Sequence, residues 1–308
     1  FPLGILVSEA ARGEGGILRN DAGEPFMERY APAIKDLAAR DVVSRAILTE
    51  IRAGRGIGGK AYVHLDLTHL GERKITEKLW EITSFARIYL GIDAVSQPIP
   101  VAPTCHYLMG GIPTDTDGRV LADEKGRVVP GLFAAGECAC VSVHGANRLG
   151  CNSLLDLLVF GRRAGRVMKE DVQGIEVPAS RPDPVEAVKE RLAALMGHDG
   201  VERSHLIRQD MQAIMTDHGS VFRTEESLKQ GIDAILALKE RFSRVAVTNK
   251  GKSFNYDLME TIELGHQLDL CEVILVSARN RRESRGAHFR EDFPERDDRN
   301  YLRHTLIF

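Results

Sequence analysis

The spacing of apolar residues changes character along the chain. From Ala38 to Ala53, Val42, Ala46 (or Val43), Ile47 and Ile51 recur at helical spacing and predict an amphipathic helix. Ala61-Tyr62-Val63-His64-Leu65-Asp66-Leu67 alternates with a period of two and reads as a strand. Lys74 to Leu90 predicts a second amphipathic helix. The polar stretch Asp115 to Arg127 carries Asp117-Gly118 and Lys125-Gly126, which predict hairpin turns. Gly131-Leu132-Phe133-Ala134-Ala135-Gly136-Glu137 reads as a short buried strand that ends in a carboxylate. A glycine-punctuated loop and a helix from about Asn152 to Met168 follow it.

Prolines 178, 182 and 184 mark Val177 to Pro184 as a linker. Beyond it the pattern is purely helical. Val185, Val188, Leu192 and Leu195 form one stripe. Leu228, Ile232, Ile235, Leu238 and Phe242 form a second, with Thr224 as N-cap. Leu258, Ile262, Leu268, Cys271 and Leu275 form a third. Three such antiparallel helices predict a small bundle. Gly231 and Gly265 lie inside these helices at a cost of about 1 kcal/mol each relative to Ala, so close helix packing is expected at both.

A length of 308 residues suggests about two domains. A net charge of −3 gives no basic footprint for nucleic acid, and no apolar run approaches the roughly 20 residues that span a bilayer. Cys105, Cys138, Cys140, Cys151 and Cys271 form no Cys-x-x-Cys pair and lack zinc-type His spacing, so no metal site is expected. They are expected to be reduced and mostly buried. The charged stretch from Arg279 to Arg299 reads as a solvated loop laced with ion pairs. Both ends look cut: Phe1-Pro2-Leu3-Gly4 lacks an initiator Met, and the last residues stop within a strand-like alternation.

Four segments carry candidate chemistry. Gly54-Arg55-Gly56-Ile57-Gly58-Gly59 matches G-x-G-x-x-G, but a helix precedes it and a strand follows, the reverse of a dinucleotide fingerprint; it reads as a connecting loop. In Ser8 to Gly16, Glu9 and Arg12 are three residues apart and can pair beside a glycine turn. His106 stands near Gly110-Gly111, where backbone can approach a ligand. His144-Gly145-Ala146-Asn147-Arg148-Leu149-Gly150-Cys151-Asn152-Ser153-Leu154-Leu155-Asp156 lies between a strand and a helix. There Arg148 can grip a carboxylate in bidentate fashion, and the helix start at Asn152 or Ser153 favours negative charge.

Ser8 to Gly16, Pro25 to Pro32, Leu37 to Val43, Thr104 to Pro113, Gly131 to Gly161 and Ser284-Arg285-Gly286-Ala287-His288, in this order, resemble the flavoprotein subunits of succinate dehydrogenase and fumarate reductase. The likeness spans nearly the whole chain. It implies an α/β + α protein: the second half of a split Rossmann-like FAD domain, an α+β capping domain and a three-helix bundle. Residues 1–104 would be the capping domain with a short FAD-domain edge, and 105–176 the C-terminal FAD segment. Residues 185–280 would be the helical domain and 281–308 the start of a C-terminal domain. The family's N-terminal FAD-binding half and extreme C-terminus would lie outside this sequence.

The resemblance further implies oxidation of succinate to fumarate, or the reverse, with FAD as cofactor. Arg148 and His106 would hold one carboxylate, with Ser8, where the family usually has Thr, and Glu9 near the other. Arg40 would move the proton, relayed by Glu9 and Arg12. Glu137 would bind the FAD ribose, and Asn152, Ser153 and Leu154 would face the isoalloxazine ring from the helix start. Cys151 stands where the family more often has Gly. The implied partners are an iron–sulfur subunit and membrane anchor subunits that pass electrons to quinone. The implied location is the cytoplasmic face of a bacterial inner membrane, or the matrix face in mitochondria. Two alternatives remain: the homologous L-aspartate oxidase, and a remnant that is catalytically incompetent alone.

Overall fold

The computed structural model describes residues 5–173 and 184–307, in two compact units, Phe1–Gln173 and Gly174–Phe308. The expected linker at 177–184 falls outside the described residues except for Pro184.

In the first unit a short helix, α1 (Ala10–Gly13), leads into an antiparallel sheet of order β1 (Ile17–Arg19), β2 (Val63–Asp66), β3 (Ile99–Val101). Leu18 faces Leu65, and Leu65 faces Ile99. The period-two alternation read from Ala61 to Leu67 thus puts Val63 and Leu65 inward, each buried. Against this face pack α2 (Met27–Tyr30), α3 (Arg40–Arg52), α4 (Glu72–Lys78) and α5 (Trp80–Leu90). They contribute Met27, Val43, Ala46, Ile47, Ile75, Ile82 and Ala86. Burying a side chain such as Leu or Ile contributes about 2 kcal/mol, so the apolar stripe of α3 fixes where its first residue, Arg40, is held.

The single helix expected from Lys74 to Leu90 is two helices. At Leu79 the backbone leaves helical geometry (φ −126°, ψ 23°), and the Leu79 side chain is buried. Ile75, Leu79, Ile82 and Ala86 keep the spacing of one helical face across the break, and all four are buried in the core. Gly54 to Gly59 is a connecting loop between α3 and β2, as its context implied.

The buried face of α3 also carries Glu50, which is wholly buried. Its carboxylate accepts from Arg55 (2.7 and 2.8 Å), Asn20 (2.9 Å), Tyr30 (2.6 Å) and Arg29 (3.1 Å). Burial pushes the carboxyl up, but the hydrogen bonds from Arg55, Asn20 and Tyr30 and the charge of Arg29 outweigh it and hold the pKa at about 2.

Beyond the sheet, β4 (Ile112–Pro113) precedes a hairpin of β5 (Arg119–Leu121) and β6 (Val128–Phe133), and β7 (Ala139–Cys140) pairs with β4 in parallel. The predicted turns lie where the glycines put them: Asp115 accepts from the N–H of Asp117 and Arg119, and Asp123 from those of Lys125 and Arg127. The expectation of a buried strand from Gly131 to Glu137 is corrected. The strand ends at Phe133, pairs among the described residues only with β5, and leaves Gly131, Leu132 and Glu137 exposed. Helix α6 (Asn152–Val172) follows, with Leu154, Leu155 and Leu158 exposed. The cysteines are corrected too. Only Cys271 is buried; Cys105, Cys138 and Cys151 are exposed because they sit on loops of this region.

In the second unit α7 (Pro184–Gly197), α8 (Ser204–His218), α9 (Glu225–Phe242) and α10 (Tyr256–Asn280) follow in order, with α11 (Asp298–Tyr301) near the end. The mutually packed trio is α8, α9 and α10, whose core holds Ile207, Met211, Leu228, Ile235, Leu264, Leu268 and Leu275. The stripe at Val185 and Val188 does form a helix, but both residues are exposed, so α7 is not the third member. Thr224 caps α9 by accepting from Ser227 N–H at 3.2 Å. Gly231 and Gly265 are close contacts: a Cβ at Gly231 would stand 2.7 Å from His218 Cβ, and one at Gly265 3.1 Å from the Phe242 ring.

The stretch read as a solvated charged loop is folded against the end of α10. Arg290 and Glu283 are wholly buried. Arg290 donates to the α10 carbonyls of Ala278 (3.2 Å) and Arg279 (3.0 Å) and to Asp292 (2.7 Å). Glu283 pairs with Arg281 and Arg285. Burial is tolerated because each charge meets an opposite charge or an otherwise unpaired helix carbonyl. Among the described residues no helix is long and apolar enough to cross a membrane.

Candidate functional site

Two loops of the first unit meet at the start of α3. The turn before β1 presents Glu9 at the head of α1, where Ser8 Oγ accepts from Ala10 N–H at 3.3 Å. The Glu9 carboxylate accepts from Arg40 Nε at 2.6 Å and lies 3.5 Å from Arg12 Nη2. Arg12 is fastened from behind, donating to the carbonyls of Asp36 and, at 2.9 Å, Ala38 just before α3. Burial lowers its pKa, against the opposing pull of Glu9 and Asp36, and the charge of Arg40 pushes the same way as burial. Ser8, Glu9, Arg12 and Arg40 therefore form one cluster, with a carboxylate between two guanidiniums.

The second loop runs from His144 to Cys151. Asn147 Nδ2 donates to Asp41 at 3.1 Å, which ties this loop to the first turn of α3. Arg148 is buried, 7% exposed, with its guanidinium 4.6 Å from the centroid of the Tyr107 ring. One of its nitrogens donates to Leu149 O at 3.1 Å, while Nε is buried without a partner. Among the described residues no carboxylate pairs with Arg148. A desolvated cation held by ring stacking is a strong attractor for an anion.

Tyr107, His144 and Asp156 form the support beneath it. Asp156 Oδ2 lies 3.0 Å from His144 Nε2 and accepts from Tyr107 OH at 3.5 Å, and the two rings stand edge to face at 5.5 Å. Burial lowers the pKa of His106, and the charges of Arg40 and Arg148 lower it further, against Glu137 and Glu9. His106 is thus biased towards its neutral form and sits in the field of both arginines. Sequence reasoning gave no role to Tyr107, His144, Asp156, Asp41 or Asn147. The available signal was position alone, since Tyr107 adjoins His106 and Asp156 lies one helical turn past Asn152.

Glu137 follows β6 and accepts from Leu108 N–H at 3.1 Å. Helix α6 starts from Cys151, which has left-handed backbone (φ 64°) and makes no side-chain cap. A non-glycine residue there costs about 1 kcal/mol. Asn152 N–H donates to Leu149 O at 3.3 Å and Leu154 N–H to Cys151 O at 3.1 Å, so a ligand would share these donors with the first turn. No group of His, Cys, Asp and Glu that could hold a metal ion occurs among the described residues.

Residues 2–154 match the FAD binding domain family and residues 208–308 the fumarate reductase flavoprotein C-terminal family. The succinate dehydrogenase flavoprotein subunit of Coxiella burnetii is 47% identical over 100% of this chain and 53% of its own length. The mitochondrial succinate dehydrogenase flavoprotein subunit of Oryza sativa is 47% identical over 99% of this chain and 49% of its own length. Among solved structures, an E. coli quinol fumarate reductase variant superposes with a TM-score of 0.89 at 42% identity, covering 97% of this chain and 53% of that one. The chain thus spans about half the length of the curated relatives it matches.

Proposed function

The chain belongs to the succinate dehydrogenase and fumarate reductase flavoprotein family, and from that we propose that it carries the dicarboxylate site of a flavoprotein that interconverts succinate and fumarate. The observation that carries this reading is the 2.6 Å pair of Glu9 and Arg40, in the same cluster of charges as the buried, uncompensated Arg148.

Arg148 takes one carboxylate in bidentate fashion, and neutral His106 donates a hydrogen bond to it. Ser8 and the Glu9 turn lie near the other carboxylate. Arg40 faces the carbon skeleton. In the direction of reduction it delivers a proton to carbon and recovers one from Glu9; in oxidation the same path runs backwards, with Arg12 completing the relay. An Arg normally holds its proton too tightly for this, since its pKa exceeds about 12. The Glu9 carboxylate, hydrogen-bonded to Arg40 at 2.6 Å, is within direct reach of that proton.

The residues present fit FAD. Glu137 is a carboxylate suited to ribose hydroxyls, and the uncapped start of α6 (Asn152, Ser153 and Leu154) offers a positive dipole end to an electron-rich ring. FAD, when bound, supplies the two-electron acceptor or donor. The finer architecture is part of the same proposal. Residues 1–104 are the capping domain, 105–176 the second segment of a split Rossmann-like FAD domain, 185–280 a helical domain built on a three-helix bundle, and 281–308 the start of a C-terminal domain. The exposed leucines of α6 support the FAD-domain reading, since a doubly wound sheet covers such a face. An iron–sulfur subunit and membrane anchors that exchange electrons with quinone complete the proposed assembly, peripheral to a bacterial inner membrane or, in mitochondria, to the matrix face.

The test is Arg40→Gln in the full-length protein that carries this chain, with flavin content and succinate-dependent dye reduction measured on one preparation. Loss of kcat by 10²-fold or more with flavin retained supports the reading, the range expected for a lost acid–base group. Oxidation of L-aspartate and not succinate by the unsubstituted protein would move it to the aspartate oxidase branch.

A further inference from the structure

Gly150 contacts the relay although it carries no functional group. A Cβ built on it would stand 2.9 Å from Glu9 Oε2, the carboxylate oxygen that does not hold Arg40, and it would meet nothing else within 4 Å. That is closer than real Cβ atoms come, so the Cβ of any other residue at position 150 would press on the Glu9 carboxylate, which must turn to make room. Gly150 is not among the residues with left-handed backbone, so alanine fits its conformation without strain.

The three partners of the Glu9 carboxylate come from separate segments. Arg40 opens α3, Arg12 ends α1, and Gly150 belongs to the loop that carries Arg148. One oxygen is drawn onto Arg40 Nε and the other rests against Gly150. The bare Cα at 150 is what allows the carboxylate to lie flat against the Arg148 loop while one oxygen stays 2.6 Å from Arg40.

We propose that Gly150 is a positioning residue for proton transfer: by lacking a side chain it holds the Glu9 carboxylate in register with Arg40, and it links that pair to the loop that grips substrate. This rests on the dicarboxylate reading above. It predicts a specific division of effects. Bulk at 150 turns Glu9 away from Arg40 and slows the proton step, while Arg148, stacked on Tyr107 and bonded to Leu149 O, keeps its grip on the carboxylate.

The experiment uses the full-length, flavin-loaded protein with Gly150→Ala and Gly150→Val. Steady-state kcat for succinate is measured from pH 6 to 9. Binding of malonate, a dicarboxylate with no carbon–carbon bond to desaturate, is measured by calorimetry. The expected result is a fall in kcat graded with bulk, about tenfold for alanine and more for valine. The kcat–pH profile should be displaced, and malonate Kd should stay within twofold. A kcat unchanged by alanine and valine would overturn the proposal. So would weakening of malonate in step with kcat, which would place the effect on dicarboxylate binding rather than on the proton step. Unsubstituted protein that binds flavin and malonate yet does not oxidise succinate would overturn the functional reading itself, and this inference with it.

Discussion

Replacing Glu50 with Gln tests how α3, and with it Arg40, is anchored. Folding takes this carboxyl from an ordinary 4.5 to about 2. At about 1.4 kcal/mol per pH unit, keeping it ionised stabilises the fold by about 3 kcal/mol. Arg29 and Arg55 are each partly exposed, which trims this towards about 2 kcal/mol through solvent screening. Because the folded pKa is the lower one, the stabilisation is complete above 4.5 and is lost as the pH falls towards 2. About 1.4 kcal/mol should be gone by pH 3.5. Gln keeps the shape and loses the charge. Calorimetric unfolding of Glu50→Gln at pH 7 should therefore show the transition of the first unit lowered by about 4–8 °C, at about 2–4 °C per kcal/mol for a unit of this size. The gap to the unsubstituted protein should narrow between pH 6 and 3.5. An unchanged midpoint at pH 7, or a gap that stays constant over that range, would refute the reasoning.

Two further predictions concern the second unit. Burial holds His288 at about 4, with Arg223, Arg281 and Arg290 adding to it against a hydrogen bond to Arg281 O. The unfolded chain therefore takes up that proton first, and stability should fall as the pH drops from about 6.5 to about 4. His288→Gln should flatten that segment of the urea-midpoint curve, and an unaltered slope would contradict the assignment. Gly231→Ala gains about 1 kcal/mol of helix propensity but forces a methyl 2.7 Å from His218 Cβ, which costs about 1–3 kcal/mol. The denaturant midpoint should drop, whereas a rise would mean that α8 and α9 yield to the methyl without cost.

Local patterns were legible where a single element decides them. The alternation around Leu65, the N-cap at Thr224, the Asp-rich turns and the two helix glycines all followed from short-range chemistry. Choices between partners were not legible. The stripe at Val185 and that of α8, at Ile207 and Met211, are both helical, and only packing decides which joins α9 and α10. Arg290 and His288 lie in a stretch that reads as solvated, and Glu50 drew no reading, because their partners lie elsewhere in the sequence, as with Glu50 and Asn20, or Arg290 and Ala278. At the candidate site, Arg148 was read from its loop between a strand and a helix, whereas Arg40 and the relay role of Glu9 came from the resemblance. Tyr107 and Asp156, which support Arg148, were not named, because stacking and second-layer hydrogen bonds leave no spacing in the sequence.

The closure of α10 by Arg290 bears on how a nascent chain acquires its shape. The carbonyls of Ala278 and Arg279 leave the ribosome before the side chain that will cover them. Until residues 281–292 have been made and folded back, the final turn of α10 must stay hydrated, and the packed helices α8 and α9 lack a finished wall. A nonsense codon just after residue 280 would therefore release a product in which α10 is frayed at its end. The segment that reads as a solvated charged loop is thus part of what closes the end of α10.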